Sequence, residues 1–208
     1  MGKFITFEGI EGAGKSTALE FTQKYLQKNG VDVVVTREPG GTKISEAIRK
    51  LLLDHNDEVM AADTELLLYF ASRAQHIAQV IKPALAKGKI ILCDRFTDSS
   101  FAYQCGGRGI SEERIAILEQ WVHQGLQPDL TILMDLPVSV GRERAKKRSA
   151  LDRIEVEQNS FFDRVRAHYL KRAKQYSERF RIVDASAPLS KIKKVLQNII
   201  DKEILKNE

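Results

Sequence analysis

Cysteine is scarce in this chain, and long apolar runs are missing altogether. Its two cysteines, Cys93 and Cys105, form no C-x-x-C pair and are too few for a disulfide scaffold. We therefore expect both thiols to behave as small apolar side chains in a reducing compartment. No run approaches the about 18 apolar residues of a membrane span, and residues 1–9 lack the regions of a signal peptide. These absences predict a cytoplasmic protein with no membrane partner.

Internal repeats, low-complexity tracts and linkers rich in Pro, Gly or Ser are also missing from the sequence. A chain of 208 residues can bury one sizeable core, so we expect a single domain over 1–208. The net charge of +5 favours anionic partners, and it does not choose among nucleic acid, a membrane surface and small phosphorylated metabolites.

Short apolar runs alternate with amphipathic patterns along the whole chain. The runs are apolar on both faces, like strands of a covered parallel sheet, and lie at 3–8, 31–36, 89–94, 130–135 and 179–185. Helical patterns occupy 15–28, 42–53, 62–87, 111–124, 137–147, 158–178 and 189–205. This alternation predicts a doubly wound α/β sheet.

Proline and glycine refine this prediction at a few positions. Pro83 falls within the third helical pattern and predicts a bend or a restart there. Two glycine clusters, at 37–42 and 104–109, are predicted to be ordered loops or turns at the ends of strands and helices.

A phosphate-binding loop is predicted at residues 7–17, FEGIEGAGKST, which contain the P-loop pattern G-x-x-x-x-G-K-[ST]. An apolar run precedes the pattern and an amphipathic one follows it, as a P-loop requires. Its glycines allow successive backbone N–H groups to converge on phosphate oxygens. Lys15 would reach the β- and γ-phosphates, and the Ser16 hydroxyl would bind Mg²⁺. The predicted nucleotide-binding residues of this loop are Gly9, Ile10, Glu11, Gly12, Ala13, Gly14, Lys15, Ser16 and Thr17.

Two of the apolar runs end in aspartate. We interpret Asp94 as a carboxylate directed at Mg²⁺ and its waters, and Arg95 beside it as a cation suited to a phosphate. A salt bridge at the end of a strand is the alternative for this pair. For Asp135 we favour a structural hydrogen-bond acceptor over a second metal ligand.

Basic residues are concentrated in GRERAKKRSALDR, residues 141–153. Arg144 and Arg148 are four residues apart, so they share one face of a helix. A solvated helix is one interpretation. A nucleic-acid interface would need aromatic residues among the cations, and this stretch has none. Since a P-loop is present, we favour a lid that brings cations over a transferring phosphoryl group.

Other catalytic motifs are missing. The sequence has no N-K-x-D element for guanine, so ATP is the expected donor. No Ser-His-Asp or Cys-His set is apparent, and we expect the histidines to be structural or solvent-facing; they are His55, His76, His123 and His168. A P-loop ATPase or switch, and a kinase for another monophosphate or small metabolite, are the competing hypotheses.

Several segments together resemble the bacterial thymidylate kinases. These are GIEGAGKS in the P-loop, TREPGGT from Thr36, the DR…S…AYQ segment from Asp94, GRG from Gly107 and the basic stretch running into LDRIE. The resemblance covers essentially the whole chain in order and spacing. It implies a P-loop fold with a five-stranded parallel sheet flanked by helices and a basic lid. It also implies a homodimer, with the contact placed on 62–81.

The activity that this resemblance implies is phosphorylation of dTMP to dTDP with ATP and Mg²⁺ and with no nucleic-acid partner. Arg37 and Arg95 would hold the acceptor phosphate. Arg73 would hydrogen-bond the thymine, and an aromatic ring one turn earlier would stack on it. That ring is usually Phe, but here Tyr69 occupies the position, with Phe70 beside it.

The remaining roles also follow from the resemblance. Ser100 matches a position that contacts the base, Tyr103 would favour deoxyribose from beneath the sugar, and Gln104 lies alongside. Arg148 matches a lid arginine that reaches the ATP phosphates, with Arg144 also on the ATP side. Glu11 would face the acceptor sugar, where it could accept a hydrogen bond from the 3′-hydroxyl or hold magnesium-bound water. The predicted catalytic residues are Glu11, Lys15, Arg95 and Arg148.

Overall fold

The chain folds around five parallel strands in the computed structural model, which describes residues 2–55, 57–148 and 152–205. The strands are β1 (Lys3–Glu8), β2 (Val33–Arg37), β3 (Ile90–Asp94), β4 (Leu130–Asp135) and β5 (Phe180–Asp184). They are hydrogen-bonded in the order β2-β3-β1-β4-β5, and every pairing is parallel. The predicted five-stranded parallel sheet is therefore confirmed.

Helices connect these strands. They are α1 (Lys15–Lys28), α2 (Lys43–Leu53), α3 (Ala62–His76), α4 (Lys82–Ala86), α5 (Thr97–Ser100), α6 (Glu112–His123), α7 (Val138–Arg148), α8 (Asn159–Gln175) and α9 (Leu189–Ile200). The π-helical segments Ile77–Ile81, Phe101–Gly107 and Asp201–Leu205 continue α3, α5 and α9. No helix within the described ranges is both long enough and apolar enough to cross a membrane.

Both faces of the sheet are covered by apolar side chains. In β1, Phe4 packs with Ile77 and Ile81 on one face. The next residue, Ile5, belongs to a larger cluster on the other face, which includes side chains of α1, α8 and α9. Successive strand residues point to opposite faces, so this double coverage explains why residues 4–8 of β1 are all buried.

No loop interrupts the helix around Pro83. The helical backbone runs from α3 through the π-helical segment Ile77–Ile81 into α4, where Pro83 lies in the first turn. Proline donates no backbone hydrogen bond and its ring crowds the preceding turn, and here that preceding turn is the wider π-helical one. The predicted interruption is thus absorbed by a change of helix type.

The glycine cluster at 104–109 was predicted to be a loop, and this is wrong for its first part. Residues 104–107 belong to the π-helical segment, and only the turn at 108–109 matches the prediction. The packing of α8 explains the difference. The Arg164 guanidinium donates to the carbonyl oxygen of Gly107 at 3.0 Å, and a Cβ on Gly107 would lie 2.4 Å from the Phe161 ring.

Candidate active site

A cavity of about 570 Å³ lies where β1, β2 and β3 end. Open parallel sheets bind ligands in this position, outside the carboxyl ends of the strands. Its wall includes the P-loop after β1, Arg37 at the end of β2, and Asp94 and Arg95 after β3. The register explains this convergence, because Phe7 of β1 and Arg37 of β2 are both aligned with Asp94.

The P-loop leaves β1 and turns into α1 at Lys15. Gly12 has a φ of 72°, and a Cβ there would lie 2.0 Å from the carbonyl oxygen of Gly141, so this position requires glycine. The Lys15 ammonium lies within the loop and donates to the carbonyl oxygens of Gly9 and Ile10, both at 3.1 Å. Burial lowers the pKa of Lys15 to about 8.

Ser16 and Asp94 face each other between the start of α1 and the end of β3. Ser16 Oγ lies 3.5 Å from Asp94 Oδ2. The other carboxylate oxygen, Asp94 Oδ1, is buried and has no hydrogen-bond partner among the described residues. Buried polar atoms are normally paired, and a free carboxylate oxygen near a hydroxyl matches the oxygen ligands of Mg²⁺. These two side chains fit a magnesium ion.

Arg95 projects into a group of carboxylate and hydroxyl oxygens. Its NH2 donates to Glu11 Oε1 at 2.7 Å and to the Tyr103 hydroxyl at 3.1 Å. Its NH1 donates to Ser99 Oγ at 3.2 Å and to the Tyr169 hydroxyl at 3.1 Å. The Tyr103 hydroxyl donates to both oxygens of Glu11, at 2.8 and 2.7 Å. Glu11 is thus a hydrogen-bond acceptor held against Arg95 by the loop and by Tyr103.

The backbone of Arg95 is as constrained as its side chain. Its φ is 70°, in the left-handed region that residues other than glycine rarely adopt, and its N–H donates to the Phe7 carbonyl oxygen at 3.0 Å. Burial acts to lower the pKa of Arg95, but Tyr103 and Glu11 contribute to a net increase. The guanidinium therefore stays charged at a fixed position in the cavity wall.

Glu8, the last residue of β1, is a fully buried carboxylate next to the Arg95 network. It accepts hydrogen bonds from Ser99 Oγ at 2.6 Å and from the Tyr169 hydroxyl at 2.8 Å. Burial, reinforced by the charge of Asp98, raises the pKa of Glu8 to about 7. Because Ser99 and Tyr169 also bind Arg95, Glu8 fixes the groups that hold this arginine.

Arg73 of α3 lies deep in the wall and is 2% exposed. Its guanidinium lies over the rings of Phe70 and Phe96, 4.7 and 5.2 Å from their centroids. Nε donates to Glu38 Oε2 at 2.7 Å, and NH2 donates to the Phe96 carbonyl oxygen at 3.1 Å. NH1 is buried with no partner in the described part of the chain. Arg73 therefore keeps one donor nitrogen for a ligand.

Tyr69, Ser100 and Gln104 also line the cavity, whereas Phe70 does not. Consecutive helix residues point about 100° apart, so the Phe70 ring is directed into the apolar cluster of α3 and α6. Ser100 Oγ is buried without a partner among the described residues. Gln104 Nε2 donates to Glu65 Oε1 at 3.0 Å, which fixes its amide. The cavity-facing ring of α3 is therefore Tyr69.

Arg37 is half exposed at the rim of the cavity. Its NH2 donates to both carboxylate oxygens of Glu46, at 3.0 and 2.9 Å. Glu46 also accepts from the N–H of Gly41 at 2.9 Å, which orders the loop after β2. Exposed ion pairs contribute little stability, so Arg37 can exchange this partner for a ligand anion at low cost.

The basic stretch predicted as a lid, 141–153, begins in α7 and is bonded to neighbouring elements. Arg142 NH1 donates to the Glu155 carbonyl oxygen at 3.1 Å. Arg144 NH1 donates to the Ala185 carbonyl oxygen at 2.9 Å and lies beside the P-loop. These bonds fix the side chains of Arg142 and Arg144, and Arg144 lies at the edge of the cavity.

The far end of the same stretch is bonded to α2 and α3. Arg153 donates to Glu65 Oε2 at 2.6 Å through NH2 and to the Leu52 carbonyl oxygen at 2.8 Å through Nε. Residues 149–151 and the side chain of Arg148 lie outside the described part of the structure. The contact of Arg148 with ATP and the movement of the lid therefore stay predictions.

A second cavity, of about 310 Å³, adjoins the P-loop on the side of α9. It shares Gly12, Gly14, Thr17 and Arg144 with the wall of the larger cavity. Its remaining wall is mostly apolar and is formed by Ala13, Ala18, Phe21, Met134, Ala185, Ala187, Leu189, Ile192, Lys193 and Leu196.

Sequence comparison with known proteins identifies a family that agrees with this site. The family model described as thymidylate kinase matches residues 7–198. The thymidylate kinase of Ectopseudomonas mendocina (strain ymp) is 60% identical over 191 residues, which cover 92% of this chain and 91% of that protein. The chain belongs to the thymidylate kinase family. The thymidylate kinase of Pseudomonas savastanoi pv. phaseolicola (strain 1448A / Race 6) is 56% identical over 199 residues, 96% of this chain and 95% of that protein.

A solved structure agrees with the family assignment. The crystal structure of thymidylate kinase from Ehrlichia chaffeensis has a TM-score of 0.77 and 32% sequence identity, and the match covers 96% of this chain and 98% of that chain. Thymidylate kinases phosphorylate dTMP to dTDP with a nucleoside triphosphate, so the chain is an enzyme of this activity. The resemblance found in the sequence is confirmed, and so is the P-loop α/β fold.

Most residues that the sequence assigned to the thymidylate kinase site line the larger cavity. They are Glu11, Gly12, Gly14, Lys15, Ser16, Thr17, Arg37, Tyr69, Arg73, Asp94, Arg95, Ser100, Tyr103, Gln104 and Arg144. Four others do not line it: Gly9, Ile10, Ala13 and Phe70. The carbonyl oxygens of Gly9 and Ile10 bind Lys15, and Ala13 lines the second cavity.

Sequence reasoning missed several polar residues of this thymidylate kinase site. Glu38, Arg49 and Ser99 line the cavity, and Tyr169 lies behind Arg95. Glu38 belongs to TREPGGT, so the motif itself could have indicated it. Tyr169 is more than 70 residues from Arg95 in the chain and has no motif around it, so only the packing of α8 reveals it.

Two predictions about groups outside the cavity are confirmed. Asp135 is a structural acceptor, because Arg166 donates to its two oxygens at 2.7 and 2.9 Å. His76 is structural as well, since Nδ1 is hydrogen-bonded to Glu38 Oε1 at 2.9 Å and Nε2 to Thr36 Oγ1 at 2.7 Å.

Proposed function

We propose that the protein transfers the γ-phosphoryl group of ATP in line to the phosphate of dTMP, with Mg²⁺, in the cytoplasm. The observation that supports this most directly is one cavity containing Lys15 on the P-loop side and Arg37, Arg73 and Arg95 on the other. Two charged substrates need such opposed sites, because phosphoryl transfer depends on positioning and on neutralising charge.

On the donor side, Lys15 would exchange its bonds to the P-loop carbonyl oxygens for phosphate oxygens of ATP. Ser16 and Asp94 would hold Mg²⁺, which neutralises charge on the phosphates when it is bound. The second cavity is suited to the adenine of ATP. It adjoins the P-loop at Gly14 and Thr17, and its wall is mostly apolar. Arg144 borders both cavities and would lie between the base and the phosphates.

On the acceptor side, Arg95 and Arg37 would bind the dTMP phosphate. Arg95 is held in place before any ligand arrives, so little ordering cost remains to be met on binding. Arg73 NH1 is a buried donor without a partner in the described chain, and a thymine oxygen would satisfy it. The Tyr69 ring would stack on the base, and Ser100 Oγ would supply a further polar contact.

The hydrogen-bond partners of Glu11 indicate a specific role for this residue. Its carboxylate lies on Arg95 and Tyr103, the two groups proposed to contact the phosphate and sugar of dTMP. A carboxylate at this point would accept a hydrogen bond from the 3′-hydroxyl. The Tyr103 hydroxyl is directed at Glu11. The ring of Tyr103 would then border the sugar and exclude a 2′-hydroxyl.

Substrate choice tests the proposed function. Initial rates should be measured with dTMP, dUMP, UMP, CMP and AMP as acceptors, each with ATP and with or without Mg²⁺. We expect dTMP to have the highest kcat/KM and turnover to require the metal. A better rate with another monophosphate would contradict the acceptor assignment. Hydrolysis of ATP that needs no acceptor would favour an ATPase or switch instead.

Arg148→Ala is expected to lower kcat by about 100-fold or more while changing KM values far less. A lid arginine neutralises charge that develops in the transition state, so its loss affects turnover more than ground-state binding. Steady-state kinetics with both substrates varied would measure this. Lys147→Ala is the matched control, since Lys147 is exposed and pairs with Glu143 on the helix surface. An unchanged kcat for Arg148→Ala would mean that the basic stretch is only a solvated helix.

We also propose that the protein is a homodimer through the outer face of α3 and α6. Leu67, Ile117 and Trp121 are exposed there, Trp121 to 74%. The Asp63–Arg114 ion pair, at 2.8 Å, joins the two helices on this face. Leu67 follows Asp63 by four residues, and the other two follow Arg114 by three and seven, so the apolar groups are neighbours.

Trp121→Glu is expected to convert the dimer to a monomer, because a charge would be buried at the contact. Light scattering during gel filtration would measure the mass of each variant. Val59→Glu is the control, since Val59 is 93% exposed and lies outside α3 and α6. A wild-type protein that elutes as a monomer at micromolar concentration would refute the dimer.

A further inference from the structure

We propose that Cys105, Glu112 and His168 form a Zn²⁺-binding site that is separate from the kinase cavity. Cys105 lies in the π-helical segment Phe101–Gly107, Glu112 begins α6, and His168 lies in α8. None of the three lines either cavity described above. The sequence alone suggested that Cys105 is a small apolar residue and that His168 is structural or solvent-facing, because neither belongs to a recognisable motif.

The three side chains lie close enough together to share one metal ion, and two of them already have a tetrahedral separation. One ligand atom from each residue lies within 4.8 Å of the other two. His168 Nε2 is 3.4 Å from Glu112 Oε1. Zn²⁺ binds nitrogen and oxygen at about 2.0–2.2 Å, so two ligands of a tetrahedral site are about 3.3–3.5 Å apart. The histidine and carboxylate already have the separation that zinc requires.

The bonding of His168 is the second observation. Its Nε2 is buried and has no hydrogen-bond partner among the described residues, although a carboxylate oxygen lies 3.4 Å away. A buried ring nitrogen is normally paired, so this one is available to a ligand. A metal between the ring nitrogen and Glu112 would satisfy it.

The backbone brings the thiol and the imidazole together. A Cβ on Gly106 would lie 2.7 Å from His168 Cβ, so the absence of a side chain at Gly106 allows this close approach. Arg164 holds the two elements together by donating to the carbonyl oxygens of Gly106 and Gly107, at 3.3 and 3.0 Å. The positions of Cys105 and His168 therefore come from the packed fold and need no metal to form.

The donor set selects the kind of ion. A thiolate with an imidazole is preferred by Zn²⁺, whereas Mg²⁺ prefers oxygen ligands only. Three protein ligands leave a fourth position, which water can fill. Lys171 pairs with Glu112 Oε1 and competes with the metal. Lys171 is 60% exposed, and such surface pairs contribute little, so it can move aside or leave Oε2 to bind.

Co²⁺ titration tests the site directly, because a thiolate ligand produces a charge-transfer band that oxygen ligands, including those of a magnesium site, do not produce. The full-length protein should be freed of metals and prepared without a histidine tag or thiol reagents. We expect the band to saturate at one Co²⁺ per chain and to disappear when Zn²⁺ is added. Zn²⁺ should also raise the melting temperature, because it binds the folded state.

Ligand variants locate the metal. Zn²⁺ affinity, measured by competition with a chromophoric chelator, should fall by more than about 100-fold in Cys105→Ser and in His168→Gln. Glu112→Gln should weaken binding as well, and its partly exposed position makes loss of folding unexpected. Glu113→Gln, at the neighbouring exposed acid, should leave the affinity unchanged. A missing thiolate band, or wild-type affinity in folded Cys105→Ser, would overturn the proposal.

Discussion

Lys15→Ala should lower kcat/KM for ATP by about 1,000-fold or more. Lys15 is the cation that we propose to contact the β- and γ-phosphates, and removing one preorganised charge contact of this kind costs about 100- to 1,000-fold in turnover. Loss of ground-state binding to ATP adds to this effect. Initial rates at varied ATP and saturating dTMP would measure it. Lys24→Ala is the control, because Lys24 is exposed on α1 and pairs with Glu20 on the helix surface.

The pH dependence gives Lys15 a second test. Since burial lowers the pKa of Lys15 to about 8, the free enzyme loses this positive charge as the pH rises above 8. We expect kcat/KM for ATP to fall about tenfold per pH unit there. Bound phosphate favours the charged form of Lys15, so kcat should stay constant to a higher pH than kcat/KM does. Wild-type-like kinetics in Lys15→Ala, or a kcat/KM that is flat to pH 10, would remove Lys15 from this role.

Arg95→Ala should lower kcat by about 1,000-fold or more and weaken dTMP binding as well. The guanidinium is charged, is fixed by four side-chain acceptors and lines the cavity on the side that we propose for dTMP. Its loss removes a transition-state contact and leaves the Glu11 carboxylate without its cation. Steady-state kinetics with varied dTMP, together with calorimetric titration of dTMP, would separate the two effects.

Glu11→Gln combined with Arg95→Ala shows how the two groups depend on each other. If Glu11 acts mainly by holding Arg95, the double variant should lose little beyond Arg95→Ala alone, since the paired charges couple. Arg181→Ala is the matched control, because it removes an arginine that pairs with Glu203 away from the cavity. Near-normal turnover in a folded Arg95→Ala protein would exclude Arg95 from catalysis.

The chemistry of the P-loop could be predicted from its own residues. A contiguous strand, glycine turn and helix determine where their backbone N–H groups point, so Lys15 and Ser16 were assigned without any distant contact. The same holds for Asp94, because parallel strands end at one edge of the sheet. Arg37 and the acceptor role of Arg95 were assigned by resemblance, and the register shows why both residues share a cavity with the P-loop.

Residues that depend on packing between distant segments could not be assigned in this way. The sequence left Tyr69 and Phe70 as alternatives, and only the rotation of α3 on α6 directs Tyr69 to the cavity. The glycines at 104–109 predicted a loop, because a short segment read by itself shows only its local conformational propensity. Contacts from α8 made the first part of that cluster helical, and no pattern within the segment encodes them.

By itself, the sequence determined the fold class, the phosphate-binding loop and the membership of a kinase family, because each depends on local patterns and on motifs in a fixed order. Tertiary structure decided how Glu8, Glu11 and Tyr169 surround Arg95, and which donors of Arg73 and Ser100 are left for a ligand. It also brought Cys105 within reach of Glu112 and His168. Such arrangements come from side chains on separate elements, whose distances are set only when the helices pack on the sheet.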